Sequence, residues 1–212
     1  MQRPGDAART TCTMRRNGFA ISLGLATSLM GAPPQRLTLA PSGNEVRYRV
    51  REQLANVSFP SDAVGATQSV TGAIVIGDDG KIVTAQSKIV VDLTTLKSDR
   101  ERRDGFIQRR TLETEQYPTA TLVPSGARGL PHPLPKSGSF SFELHGDLTV
   151  HGTTRPTTWQ VTAQATESGY VGTAKTHFSF GEFGLEQPRV MVVLSVEDDI
   201  RLEYDFHLIQ AR

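Results

Sequence analysis

Cysteine is almost missing from these 212 residues: the only one, Cys12, stands upstream of the patterned part of the chain. One thiol can build neither a disulfide framework nor a cysteine-based zinc site within a chain. Charge excess is missing too. A formal net charge of +1 offers no global attraction to nucleic acid or to an anionic surface, so no nucleic-acid partner is expected and the interior or a local patch must select the ligand. The usual marks of hydrolases and nucleotide enzymes are also absent: there is no Gly-x-Ser-x-Gly elbow, phosphate loop, dinucleotide fingerprint or His-Glu-x-x-His. The common hydrolases and nucleotide enzymes are therefore not indicated, and no cofactor is expected. With 37% hydrophobic residues, the chain can still bury the core of one medium domain or a closed barrel.

The longest apolar run lies near the N-terminus. Met14-Arg15-Arg16-Asn17-Gly18 leads into Phe19 to Ala32, a basic start followed by a short apolar stretch that ends on small residues. This is the anatomy of an export signal, and it falls short of the ~20 apolar residues of a membrane span. The expectation is a periplasmic or secreted protein without stable membrane insertion, with translation starting at Met1 or Met14. Residues 1–43 are expected to be signal and flexible lead, and residues 44–210 the domain.

Alternation with a period of two dominates the rest, and a period of two is a strand with one dry and one wet face. From Phe140 to Val150 every even position is apolar or Gly, a turn is expected over His151 to Pro156, and the phase restarts past it with Trp159, Val161, Ala163 and Ala165. Two strands joined by a tight turn make a hairpin. Val46, Tyr48 and Val50 alternate with charged neighbours, Ser69 to Ile76 and Lys81 to Leu93 flank an Asp79-Gly80 turn signal, and Thr119 to Val123 and Val171 to Phe180 follow. Val190 to Val196 and Ile200 to Leu208 are expected as a final pair around a turn at Glu197-Asp198-Asp199. Gly126 to Gly138 reads as a loop. Only one segment reads as a helix, Asp99 to Arg110, opened by a Ser98-x-x-Glu101 capping box and pinned to the surface through Phe106, Ile107 and Leu112. Its five arginines, interleaved with carboxylates, read as a solvated face. About eight to ten antiparallel strands and one helix indicate an all-β barrel or sandwich.

Several pieces, taken together in this order and spacing, carry a resemblance. They are Val70-Thr71-Gly72-Ala73, Asp92-Leu93-Thr94-Thr95-Leu96, Arg103-Asp104 and Tyr117-Pro118-Thr119-Ala120. Gly146 to Pro156, Phe183-Gly184 and Asp199 to Phe206 complete the set. Over most of Glu45 to Leu208 the chain resembles the YceI-like family of exported, lipocalin-like polyisoprenoid-binding proteins. The resemblance implies an extended antiparallel lipocalin-like β-barrel of about eight strands, one surface α-helix, and a long apolar ligand along the interior. One departure is Leu54 to Phe59, where the family usually carries a His-Ser step.

The implied ligand is a long-chain isoprenoid or another apolar small molecule, and a homodimer is compatible with the pattern. The candidate lining is Phe140, Phe142, Leu144, Leu148, Trp159, Val161, Val192, Leu194, Leu202, Tyr204 and Phe206, all in dry-face phase or on the closing strands. The competing expectation is a secreted structural or interaction module whose same residues meet in a filled core. His145, Asp147 and His151 are the best acid-base or metal candidates, and they lie on the wet face of the Phe140–Ala165 hairpin or at its turn, where nothing excludes water.

Overall fold

The computed structural model describes residues 34–55 and 57–210. The segment expected to be an export signal, and Cys12, lie outside the described residues.

The strands are β1 (Gln35–Leu39), β2 (Glu45–Leu54), β3 (Ser61–Thr67), β4 (Val70–Ile76), β5 (Lys88–Asp92), β6 (Lys97–Ser98) and β7 (Thr119–Arg128). They continue with β8 (Ser139–Val150), β9 (Thr153–Ala165), β10 (Gly169–Phe178) and β11 (Val193–Gln210). All belong to one antiparallel sheet. Three pairs of segments work as single bent staves: β1 with β2, β3 with β4, and β5 with β6. Counted this way, eight staves run up and down in chain order and close on themselves. The seam is β11, which pairs with β1 through Leu37↔Gln210 and with β2 from Leu54↔Val193 to Glu45↔Asp205. Closure leaves the long strands no raw edge.

The β8–β9 hairpin forms as its alternation predicts, with Leu144 opposite Trp159 and Phe142 opposite Val161, but the return strand begins at Thr153 and takes Pro156 into the pairing opposite Asp147, where a turn was expected. Its two-residue turn places His151 at φ 50° and Gly152 at φ 71°, the pair of positive angles that a type I′ turn needs. Other local expectations are corrected. Gln35–Leu39, expected to be flexible lead, is a barrel strand because Leu37 is buried against the seam. The last two strands are one: β11 runs through Glu197-Asp198-Asp199, and its register shifts between Val196 and Ile200 as a bulge absorbs the polar residues. The expected loop at Gly126 instead continues β7 to Arg128 past a shift at Pro124/Gly126. The Asp79-Gly80 turn closes with Gly77 N donating to Lys81 O at 2.8 Å, but its return strand breaks into a short 3-10 turn at Thr84–Gln86 before β5.

Helix α1 (Glu101–Phe106) continues into a π turn at Ile107–Thr111, where Leu112 N donates to Ile107 O at 2.8 Å. The capping box does not form. Ser98 instead donates its backbone N–H and its hydroxyl to Asp104 Oδ1, at 2.8 and 2.6 Å. The helix lies over one end of the barrel through an ion pair. Glu52 continues the inward phase of Val46, Tyr48 and Val50 on β2, so a carboxylate points where the pattern demands an apolar side chain. Arg103 reaches it at 2.6 Å and also pairs with Asp99. Burial works against the charge on Arg103, and the carboxylates of Glu52 and Asp99 outweigh it, holding the guanidinium above its ordinary pKa.

The outer face of the seam carries a charge ladder. Direct register partners include like charges, Arg49 opposite Arg201 and Glu45 opposite Asp205. Diagonal contacts relieve them: Arg47 to Asp205 at 2.5 Å, Arg49 to Glu203 at 3.1 Å, and Arg201 to Asp62 at 3.0 Å. Partial burial raises the pKa of Glu203 and Asp205, and the hydrogen bonds from Arg49, and from Arg47 and Thr173, together with the positive charges of Arg47, Arg49 and Lys175 outweigh it, so both carboxyls sit below their ordinary values.

Two outcomes follow for stability. Carboxyls with a depressed folded pKa stabilise fully above their ordinary values of 4.5 and 3.8, and that stability is lost as pH falls through the lower folded values. Thermal unfolding followed by circular dichroism should therefore show a midpoint that drops below about pH 4.5. The Glu203→Gln/Asp205→Asn double variant should have a lower midpoint at pH 7 and a flatter acid limb. Urea unfolding tests the helix anchor: Arg103→Met strands Glu52 and should cost about 3 kcal/mol, whereas Glu52→Leu/Arg103→Met should recover most of that loss.

Candidate functional site

Alternation determines which side chains enter the barrel, and height along the axis determines what they meet there. At the end where β1 begins and β11 stops, with the β9–β10 turn, the interior is filled. Phe140 stacks on Phe142 with ring centroids 6.0 Å apart and meets Tyr170 edge-on at 5.9 Å. Leu144, Val161, Ala163, Phe206 and Leu208 are buried in the same core. Tyr170 donates its hydroxyl to Pro135 O at 3.1 Å. Asn44, buried at the break between β1 and β2, accepts from Tyr204 Oη at 3.2 Å and from His207 N at 3.0 Å.

Toward the other end the barrel holds a cavity of about 860 Å³. Its wall comes from inward positions of most staves: Val46, Tyr48 and Val50 of β2, Ile89 of β5, Leu122 of β7, Leu148 and Val150 of β8, Trp159 of β9, Phe178 of β10, and Ile200, Leu202 and Tyr204 of β11. Helix α1 and its π turn roof it with Phe106, Ile107 and Leu112, the three residues expected to pin the helix. The β10–β11 connection folds inward beside the helix. There Ser179 and Glu182 form a capping box around a 3-10 turn, Gly184 ends it at φ 67°, and Phe183 is driven into the core against Phe178 at 4.4 Å. Phe180 and Leu185 of the same connection border the cavity.

The polar groups at the cavity are few. The charged ones, Glu52 and Arg100 to Arg103, belong to the ion-paired helix end. The hydroxyls of Tyr48 on β2 and of Thr111 in the π turn are buried without a hydrogen-bond partner among the described residues. Burial pushes the Tyr48 phenol pKa well up, so it stays a neutral hydroxyl. Gly65 of β3 makes room for that ring, because a Cβ there would come within 2.2 Å of Tyr48 Cε1.

Of the residues expected to line a ligand site, Leu148, Trp159, Val192, Leu202 and Tyr204 border the cavity. Phe140, Phe142, Leu144, Val161 and Phe206 do not. They occupy the filled end, where alternation aims them inward but at the wrong height. Leu194 lies outside the cavity with two thirds of its surface in solvent, because β11 begins at Val193 and shifts register at once. Sequence reasoning missed Tyr48, Thr111, Phe178 and the Glu52–Arg103 pair. A carboxylate in phase with Val46, Tyr48 and Val50 was the available signal for that pair, since an inward charge requires a partner.

His145, Asp147 and His151 do not converge. His145 Nδ1 lies 3.2 Å from Thr158 Oγ1 on the outer face, and His151 Nε2 lies 2.8 Å from Glu113 Oε2, its ring edge-on to Tyr117. The described residues hold no group of three or more His, Cys, Asp or Glu side chains placed to bind a metal ion.

Comparison with known proteins agrees with this geometry. Curated relatives from Pseudomonas putida, UPF0312 proteins of strains F1 and GB-1 among them, are 31% identical over 111 residues, which is 48% of this chain and 54% of theirs. The matched stretch thus spans about half the length of those relatives. Among solved structures, BcnA of Burkholderia cenocepacia superposes with a TM-score of 0.59 at 14% identity, covering 79% of this chain and 98% of that one. A polyisoprenoid-binding domain from Saccharophagus degradans, implicated in plant cell wall breakdown, gives 0.60 at 11% identity with 82% and 98% coverage. The YceI protein of Campylobacter jejuni gives 0.57 at 13% identity with 76% and 91% coverage. At these identities the structures speak for the fold alone. The YceI-like domain itself matches residues 37–208, nearly the whole described barrel, and the chain belongs to the YceI-like family.

Proposed function

We propose that this protein holds a polyisoprenoid or a similar long apolar molecule in the hollow half of its barrel, as an exported carrier or sequestering protein, without turnover. The observation that carries this reading is the apolar cavity of about 860 Å³ under helix α1. Transfer of each methylene from water into such a space contributes about 0.8 kcal/mol before ordering costs, so a long chain needs no charged anchor. The Saccharophagus degradans domain, named for polyisoprenoid binding, supports the ligand class. The basic and apolar segment from Met14 to Ala32 supports export. The filled-core alternative accounts only for the half of the barrel around Phe140 and Tyr170.

The distribution of polar groups adds an orientation. Charges gather at the helix end, and Tyr48 and Thr111, which line the cavity, keep their hydroxyls buried and unpartnered among the described residues. A buried hydroxyl left unpaired costs about 1–3 kcal/mol. A ligand with an apolar tail and one hydroxyl or carbonyl relieves that cost once Thr111 turns its hydroxyl into the cavity, while the tail fills the apolar space.

Trp159 is the only tryptophan and borders the cavity, so its emission reports occupancy directly. Titration with a long-chain prenol in detergent-free buffer should give a saturable change in Trp159 emission. Ala120→Phe, which fills cavity space from β7, should weaken that binding at least about tenfold, or 1.4 kcal/mol, without lowering the unfolding midpoint. A linear, unsaturated emission response, or equal affinity in Ala120→Phe, would count against the reading. The hydroxyl reading has its own test. Thr111→Val should leave the empty protein as stable or more so, and should reduce affinity for the prenol more than for the hydrocarbon of equal length.

A further inference from the structure

Two pieces of chain close the helix-bearing end of the cavity, and they are held in different ways. The β10–β11 connection is anchored. Phe180, Phe183 and Leu185 are buried, Phe180 N donates to Asp198 Oδ1 at 2.8 Å, and Gln187 Nε2 donates to Val196 O at 3.3 Å. The roof at residues 101–112 has no such anchor. Helix α1 has no buried residue, and the one buried residue of the π turn is Thr111, whose hydroxyl is unpartnered among the described residues. Phe106, Ile107 and Leu112 are only half-buried and border the cavity. Gly105 also weakens the segment's own preference for helix, and π turns of this kind are frequent at functional sites.

The ties of this roof are uneven along its length. Among the described residues, no backbone-to-backbone hydrogen bond joins residues 101–112 to a strand. Asp104 and Gln108 reach only the chain just before the helix: Asp104 accepts from Ser98, and Gln108 Nε2 donates to Thr94 O and Leu96 O, each at 3.2 Å. The tie to a long strand is Arg103 with Glu52 of β2 at 2.6 Å. Beyond the π turn the attachment is firmer. Glu113, at φ 47°, accepts through its carbonyl from Gln116 N and Tyr117 N at 2.8 Å, and its carboxylate meets His151 Nε2 of the β8–β9 turn. Tyr117 lies edge-on to His151 at 4.7 Å and so close over Gly152 that a Cβ there would come within 2.7 Å of its ring. One end of the roof is thus clasped to the barrel, and the other rests on an ion pair. Segments with few buried apolar contacts open locally at far lower cost than the core.

We propose that residues 101–112 are a lid, latched by Glu52 and Arg103 and hinged at the clasp of Glu113 and Tyr117 on the β8–β9 turn, and that a long apolar molecule enters and leaves the cavity beneath it. The use of the lid rests on the apolar-ligand reading; its opening does not. Hydrogen exchange of the empty full chain, read by mass spectrometry, tests the opening. Protection of residues 103–112 should lie at least about tenfold below that of the anchored turn at 180–185 and of the clasp at 113–117. A reversible bridge tests the latch: in a Cys12→Ser background, Glu52→Cys/Arg103→Cys is joined by a bifunctional methanethiosulfonate and released by reductant. Bridging should raise the protection of residues 103–112 to that of the anchored turn. It should also slow both uptake and release of the long-chain prenol, followed by Trp159 emission, at least about tenfold, with affinity little changed and both rates restored by reductant. Equal protection of the three segments in the unmodified chain overturns the proposal, and that arm needs no variant to fold. So does a bridged protein that exchanges prenol as fast as the reduced one. A chain whose residues 103–112 open and close with the bridge, but which gives no saturable prenol response, supports the lid and fails the apolar-ligand reading alone.

Discussion

The structure depends on the seam where β11 meets the first stave. Up to that pairing the chain is an antiparallel meander with a raw strand at each edge, and its inward side chains have no opposing wall. Once β1 and β2 bond to β11, the interior width is set by the number of staves, and every inward side chain must be matched to a fixed space. The cross-strand charges on the outside of this seam are placed for the same end. Like charges face each other in direct register, and the diagonal pairs from Arg47, Arg49 and Arg201 give that register its electrostatic match.

A fixed width with varying side chains produces two halves of different character. Where Phe140, Phe142, Tyr170 and Phe206 project inward, aromatic volume fills the barrel and gives it a solid floor. Where Val46, Val50, Ile89, Leu122 and Leu148 project inward, shorter side chains alternate with the aromatics Tyr48, Trp159, Phe178 and Tyr204, which line the wall, and the centre is open. The roof over that opening is held by Glu52 and Arg103, a buried ion pair in a position that an aliphatic contact could occupy. Such a pair adds little stability over apolar packing, but it fixes which face of α1 turns inward and so places Phe106, Ile107 and Leu112 over the cavity.

The strands and the all-β class of fold could be read from the sequence because a period of two leaves a strong trace, clearest from Phe140 through Ala165; closure into a barrel, as against a sandwich, came from the family resemblance. The reversal after Val150 was legible too, but not its tightness: a turn expected over His151 to Pro156 is only His151-Gly152, because Thr153 already pairs with Val150. What was not legible depends on distant partners. Gln35–Leu39 looks like linker until β11 and β4 are there to bury Leu37. Glu197-Asp198-Asp199 looks like a turn until the pairing with β2 shows that a bulge can carry it. At the site, alternation separated inside from outside and so brought Leu148, Trp159, Leu202 and Tyr204 to the cavity. It holds no information on height along the barrel, which is why Phe140, Phe142, Leu144, Val161 and Phe206 were grouped with them although they form the floor. Ser98, expected to cap α1, was drawn instead to Asp104, a contact that depends on where β6 ends.

The central claim is that the hollow half of the barrel carries a long apolar molecule, and the most direct measurement is native mass spectrometry of protein purified without detergent, followed by organic extraction. The account predicts a mass above that of the bare chain and an extract containing a polyprenyl species or a chain of similar length and polarity. A protein that flies at its bare mass, and stays there after incubation with prenyl lipid, would contradict it.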